Sequence, residues 1–220
     1  MLTDFLVDAI RPLSFRGKLR LLNTLIPHEG ERTFEAHGCR FCLDLSELAE
    51  RNVYFGTYET EEAALARQIL GPGDSFVDAN GGIGFFTALA ASRVGPTGQI
   101  LAVEARTMSY LRLERVVRDN HLNQVVLHHG ALGAREQAPV TTLDTLAARH
   151  RLAHIDLLKI EGCDLSLLAG AARLLAQRRI GAVLCRLDSP DTRMLAQLDV
   201  LGFRHARSAG ASHFFTAAPH

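Results

Sequence analysis

From residue 74 onward the chain alternates short apolar runs with stretches whose apolar residues recur every three or four positions. The runs predict strands at Ser75 to Ala79, Gln99 to Glu104, Val125 to Leu132, Ile155 to Ile160 and Ala182 to Leu187. The periodic stretches predict helices at Ile83 to Arg93, Met108 to Asn120, Leu143 to His150, Leu165 to Arg179 and Thr192 to Leu201. Phe76-Val77, Ile100 to Val103 and Ile155 to Ile160 are nearly continuous in apolar residues, as expected of strands covered on both faces. Repeated strand-helix alternation implies a parallel sheet with helices on each side. Two last strands, near Phe203 to Arg207 and His213 to Ala217, have no helix between them and can pair antiparallel. The expected architecture is a doubly wound α/β domain with a mixed, seven-stranded sheet.

The first third reads differently. Leu2 to Leu25 carries apolar residues at helical spacing opposed by Arg16, Lys18 and Arg20, and Arg11-Pro12 divides it into two short helices. A basic amphipathic stretch can lie on a membrane surface, but positive charges without an aromatic anchor favour docking onto the domain instead. Alternation from Thr33 to Leu45 predicts a hairpin, and Thr60 to Leu70 a helix with Glu59, Glu61 and Glu62 at its dipole-favoured N-terminus. A boundary near Gly71-Pro72-Gly73-Asp74 separates an N-terminal extension, residues 1–73, from a core domain, residues 74–220.

Composition narrows the function classes. Lys and Arg number 24 and Asp and Glu also 24, so the net charge is zero and the electrostatic footprint for binding nucleic acid is missing. No run approaches the length of a membrane span, and Met1-Leu2-Thr3-Asp4 is acidic where a secretory signal would be basic. Four scattered cysteines in 220 residues make no disulfide scaffold, and a reducing cytoplasm is the expected location. Cys39 and Cys42 have metal-knuckle spacing, but no second ligand pair follows, and in a strand they face opposite ways. His128-His129 likewise diverge, and no compact set of three ligands stands near the expected crevice, so no metal site is assigned. A homodimer is left open.

Chemistry is signalled at Phe76 to Thr87, where an apolar strand ends at Asp78 and passes through Asn80-Gly81-Gly82-Ile83-Gly84 into a helix. Glycines there let backbone approach a ligand at the carboxyl edge of the sheet. Glu104, twenty residues after Gly84 and at the end of the next strand, can accept both hydroxyl protons of a ribose. The dinucleotide pattern GxGxxG is absent, and Asp78 would repel a diphosphate yet attract an ammonium. S-adenosylmethionine, an amino acid joined to a nucleoside, fits this turn better than NAD.

These residues resemble the FkbM-type S-adenosylmethionine-dependent methyltransferases. Asn52 to Glu59 looks like the family's glycine-Tyr-Glu segment, Val77 to Thr87 its VDVGANIGYYT, and Ala102 to Ala105 its AFEP. Asn120 to Leu122, Ala131 to Gly133, Thr142 to Leu146 and Leu157 to Leu165 follow in the family's order. The resemblance runs from about Asp44 to the C-terminus. It implies a class I methyltransferase-like (Rossmann-like) fold, S-adenosylmethionine as cofactor, and transfer to a hydroxyl of a small molecule or glycan. Carried over residue by residue, the cofactor contacts are Asp78, Asn80, Gly81, Gly82, Gly84, Glu104 and Tyr58, and the candidate catalytic groups are Glu161, Lys159 and Glu59.

The departures fall at the site itself. Asn80 stands where the family has its first motif glycine, so its side chain would crowd the cofactor or the turn is shifted by one residue. Lys159-Ile160-Glu161-Gly162 lacks two residues of KIDVEG, and Lys159 with Glu161 can be read equally as a salt bridge fixing the loop. Asp164 is expected to cap the helix beginning at Leu165. A relative that keeps the pocket or the fold without catalysis is the alternative reading.

Overall fold

The computed structural model describes the chain except residues 1, 14, 163, 164, 187–191, 210, 219 and 220. It divides into two compact units, residues 1–60 and 61–220.

In the N-terminal unit, α1 (Leu2–Ile10) and α2 (Lys18–Leu25) are separated at Arg11-Pro12, as proline requires. Val7, Leu22 and Ile26 are buried, but Phe5 and Phe15 are 71% and 43% exposed. One side of this stretch is thus buried and the other exposed. β1 (Glu31–Ala36) and β2 (Cys39–Asp44) form an antiparallel hairpin with Phe41 and Leu43 buried. Cys39 is buried, which raises its thiol pKa, and the nearby Cys42 falls on the other face of β2. α3 (Leu48–Tyr54) is an addition to the expected elements, too short for a helical period to register. Arg11 ties these pieces together, its Nε–H donating to the Tyr54 carbonyl at 2.9 Å while its guanidinium lies 4.4 Å from the Phe34 ring centroid.

The second unit opens on α4 (Thr60–Ile69), β3 (Ser75–Asp78), α5 (Phe85–Val94), β4 (Gln99–Glu104), α6 (Thr107–Asp119) and β5 (Val125–His129). It continues with β6 (Ala131–Leu132), β7 (Val140–Thr141), α7 (Leu143–Arg149), β8 (Leu157–Glu161), α8 (Leu165–Ala169) and α9 (Ala172–Ala176). β9 (Ala182–Arg186), α10 (Thr192–Val200), β10 (Phe203–Ala209) and β11 (Ser212–Ala217) complete it. The main sheet has seven strands in the order β10-β11-β9-β8-β3-β4-β5, with β11 antiparallel between β9 and β10 and the rest of the ladder from β9 to β5 parallel. The chain thus winds outward from β3 through β4 to β5 and returns to β8 on the opposite side of β3. That reversal opens a crevice at the carboxyl ends of β3 and β8. Beneath it, Val77, Val103, Leu158 and Ile160 are buried in one core with Leu143, Leu146, Leu167 and Leu174 from the covering helices.

Two expected elements are divided, each at a glycine that has no room for a side chain. The run Val125 to Leu132 ends its sheet pairing at His129, because a Cβ on Gly130 would lie 2.7 Å from the Pro139 carbonyl oxygen. β6 then pairs with β7 in a separate ladder. The helix expected from Leu165 to Arg179 breaks at Gly170, where a Cβ would stand 2.0 Å from the Gly133 carbonyl oxygen. The Asp144 carboxylate caps the second piece, accepting the amide hydrogens of Arg173 at 2.7 Å and Leu174 at 2.9 Å. Asp144→Ala should accordingly lower unfolding stability by about 1–3 kcal/mol, the scale of charge-assisted hydrogen bonds. Urea denaturation with unchanged far-ultraviolet dichroism is the check, and a variant as stable as the wild type would remove this capping role.

Candidate functional site

Between β3 and α5 the chain turns in six residues, Ala79 to Gly84. The Gly81 N–H donates to the Val103 carbonyl at 2.9 Å, and the Gly84 N–H to the Gly81 carbonyl at 2.8 Å. Gly84 has φ +86°, a left-handed conformation that strains other residues, and a Cβ on Gly81 would approach Leu113 Cδ2 to 2.8 Å. The turn therefore packs its backbone directly on α6.

Glu104 holds that arrangement from the end of β4. Its Oε2 accepts the Gly82 N–H at 2.8 Å and its Oε1 the Arg106 N–H at 2.7 Å. One buried carboxylate thus joins the glycine turn to the start of α6. Each oxygen can accept more than one hydrogen bond, so Glu104 retains acceptor capacity for a pair of hydroxyls.

Asp78 ends β3 at 1% exposure. Its Oδ2 accepts the Thr87 hydroxyl at 2.9 Å, while Oδ1 is buried without a hydrogen-bond partner among the described residues. Burial raises the Asp78 pKa; Lys159 and the Thr87 hydrogen bond oppose the rise, and Glu161 and Glu104 add to it. A carboxylate oxygen left in that condition calls for an external donor, and an ammonium would satisfy both its hydrogen bond and its charge.

On the adjacent strand β8, Lys159 is the register partner of Asp78 and is buried, with Nζ 4.4 Å from the Phe86 ring centroid and 3.2 Å from Glu161 Oε2. The Glu161 side chain is 44% exposed. Asn80 directs its Oδ1 toward the Glu161 N–H, a long contact of 3.4 Å that links the turn to the end of β8. Asp78, Asn80, Gly81, Gly82, Gly84, Glu104, Lys159 and Glu161 thus come together at adjacent strand ends. Tyr58 and Glu59 belong to the N-terminal unit, where Glu59 has φ +38°. Asp164 and Cys163 lie outside the described residues. Among the described residues, no three His, Cys, Asp or Glu side chains group as a metal site.

Sequence reasoning missed Thr87 and Phe86, which lie in the first turn of α5. Their signal was position: side chains there face back toward the end of β3. His129, weighed from sequence only as a metal ligand, ends β5 and stacks on Tyr110 with ring centroids 4.5 Å apart and planes 16° from parallel.

Residues 58–159 match the family model described as protein-L-isoaspartate(D-aspartate) O-methyltransferase. Aeropyrum pernix fibrillarin, solved with natively bound S-adenosyl-L-methionine, aligns with a TM-score of 0.52 at 18% identity, over 88% of this chain and 84% of its own. M. jannaschii TYW2, in complex with AdoMet, aligns with a TM-score of 0.50 at 17% identity, over 87% and 85%. Precorrin-6y C5,15-methyltransferase from Geobacter metallireducens aligns at 0.52 and 16% identity, over 73% and 88%. The fold is that of the class I methyltransferases. No curated protein matches the chain in sequence. Within this methyltransferase fold, the Asp78 and Glu104 carboxylates occupy the ends of two adjacent parallel strands, β3 and β4, on either side of the glycine turn.

The raised pKa of Asp78 has a definite sign. A carboxyl that binds its proton more tightly when folded stabilises the protein at low pH, and that contribution is lost as pH rises through the raised folded value. Asp78→Asn should therefore raise the melting temperature of the ligand-free protein at neutral pH, with the gain shrinking toward acid pH. Calorimetric scans across pH test this, and a lower melting temperature at neutral pH would show the carboxylate to be satisfied as it stands.

Proposed function

We propose that this chain is an S-adenosylmethionine-dependent O-methyltransferase acting on a hydroxyl of a small molecule or glycan. The observation that carries the reading is the pairing of Glu104 with the unsatisfied Asp78 oxygen around a glycine turn at the sheet's reversal point. Glu104 would take the ribose hydroxyls and Asp78 the amino-acid ammonium. Gly81, Gly82 and Gly84 would line the cofactor with backbone and Asn80 would add a contact from the turn, while Tyr58 is a cofactor contact by the resemblance alone. The methyltransferase fold and the match to an O-methyltransferase family model support this assignment. The motif order from Asn52 to Leu165 supports the narrower FkbM-type membership, with residues 74–220 as the catalytic core and 1–73 as its extension.

When bound, S-adenosylmethionine supplies a sulfonium methyl open to in-line displacement by an oxygen. The protein's part is to orient the acceptor and manage its proton. Orientation can contribute about 7–11 kcal/mol, and a positioned base about 10²–10⁴-fold. Glu161, half exposed at the crevice, is the group assigned to accept or orient that proton, and Lys159 is the buried cation that holds its carboxylate. Glu59 is a candidate base by the resemblance alone. Zero net charge supports a compact acceptor over a nucleic-acid polymer, and four scattered cysteines in 220 residues support a reducing cytoplasm over a disulfide-stapled exterior.

The Lys159–Glu161 ion pair also favours a second reading, in which this edge is structural and the protein binds the cofactor without turnover. Mass spectrometry of the protein as purified, seeking carried-over S-adenosylhomocysteine, followed by methyl-transfer assays on glycans and hydroxylated metabolites, separates the two. Glu104→Ala should weaken S-adenosylmethionine binding by about 1.5–3 kcal/mol in calorimetric titration. Affinity equal to the wild type would remove the ribose assignment. Glu161→Gln should lower turnover by about tenfold or more while leaving cofactor affinity nearly intact. Turnover at the wild-type rate would move the base to Lys159 or Glu59, or leave catalysis to orientation alone.

A further inference from the structure

The first 25 residues contain seven of the thirteen exposed large hydrophobic side chains among the described residues. In α1, Phe5, Leu6 and Ala9 share one side of the helix and are exposed, while Val7 on the other side is fully buried. In the linker and α2, Leu13, Phe15, Leu21 and Leu25 are 40–53% exposed, and Leu22 alone of the α2 leucines is buried. The unit's interior thus uses one side of this segment and leaves a second apolar side in water.

Charge indicates what fits it. Residues 2–25 hold Arg11, Arg16, Lys18 and Arg20 against Asp4 and Asp8, a positive surplus in a chain whose net charge is zero, and Asp8 is paired with Arg11 at 2.9 Å. Arg11 is engaged by the Tyr54 carbonyl and the Phe34 ring, and Lys18 donates to the Arg11 carbonyl at 2.5 Å. Arg16 and Arg20 are exposed among the apolar side chains. Phenylalanine and leucine tips interleaved with arginines match the boundary between acyl chains and anionic headgroups. No helix of the described residues is long and apolar enough to cross a membrane, so the contact would be interfacial.

We propose that α1, α2 and their linker form a peripheral docking surface for bilayers rich in anionic lipid. Phe5 and Phe15, exposed here, supply the aromatic anchors that the sequence reading took to be missing and insert to the depth of the headgroup boundary, and Arg16 and Arg20 supply the preference for negative lipid. The surface is independent of the cofactor reading, since it involves none of the crevice residues.

The test is co-sedimentation of the full chain with vesicles of equal parts phosphatidylcholine and phosphatidylglycerol, against vesicles of phosphatidylcholine alone. The protein should partition onto the anionic vesicles and lose affinity as salt is raised. Both Phe5→Ser/Phe15→Ser and Arg16→Glu/Arg20→Glu should reduce partitioning by about tenfold or more, with melting temperatures near that of the wild type because the altered side chains are exposed. Equal binding to both vesicle types, no binding, or variants that bind like the wild type would overturn the proposal. So would a wild-type dimer in sedimentation equilibrium that Phe5→Ser/Phe15→Ser converts to monomer without any vesicle binding, since the face would then belong to a second copy.

Discussion

The site depends on one buried carboxylate. Glu104 accepts the amides of Gly82 and Arg106, so the end of β4 holds both the glycine turn after β3 and the first residue ahead of α6. A turn built of glycines has little stiffness of its own, because each glycine loses more conformational freedom on ordering than any other residue. The two amide bonds supply that stiffness from outside. They also leave the carboxylate's remaining acceptor capacity at the crevice, so one side chain can serve as structural clamp and ligand contact together.

Around that clamp the crevice is electrostatically asymmetric. Asp78 and Glu104 bring buried acidic groups to the ends of β3 and β4, and the only buried lysine among the described residues, Lys159, stands beside Asp78 on β8, between the Phe86 ring and Glu161. A ligand with a positive amino-acid end and hydroxyls on a sugar suits the acidic strand ends, whereas a diphosphate would meet repulsion there. The Asn80 contact with the Glu161 amide couples the turn to the end of β8. Substitution at position 80 would therefore be felt at both edges of the crevice.

Much of this was legible in the sequence because the relevant signals are local. Gln99 to Glu104 reads as a strand with the bounds the structure gives it, since both faces are covered and the run is almost wholly apolar. Asp78, the glycines and Glu104 were found by spacing alone. The breaks at Gly130 and Gly170 were not, because what forbids a side chain there is the carbonyl oxygen of Pro139 or Gly133, supplied by a different part of the chain. Thr87 was hidden for the same reason, its role being set by a carboxylate nine residues earlier on another element. Phe5 and Phe15 were in plain view, but periodicity shows that a helix has an apolar face without showing whether anything covers it.

The central claim is that the turn clamped by Glu104 is a ligand-binding element, and hydrogen exchange on the full chain addresses it directly. Adding S-adenosylhomocysteine should slow amide exchange in the segments around residues 78–87 and 103–107 and leave the β10–β11 hairpin unchanged. NAD at the same concentration should alter neither. Unchanged exchange at the turn under saturating S-adenosylhomocysteine, or protection confined to another part of the chain, would contradict the account.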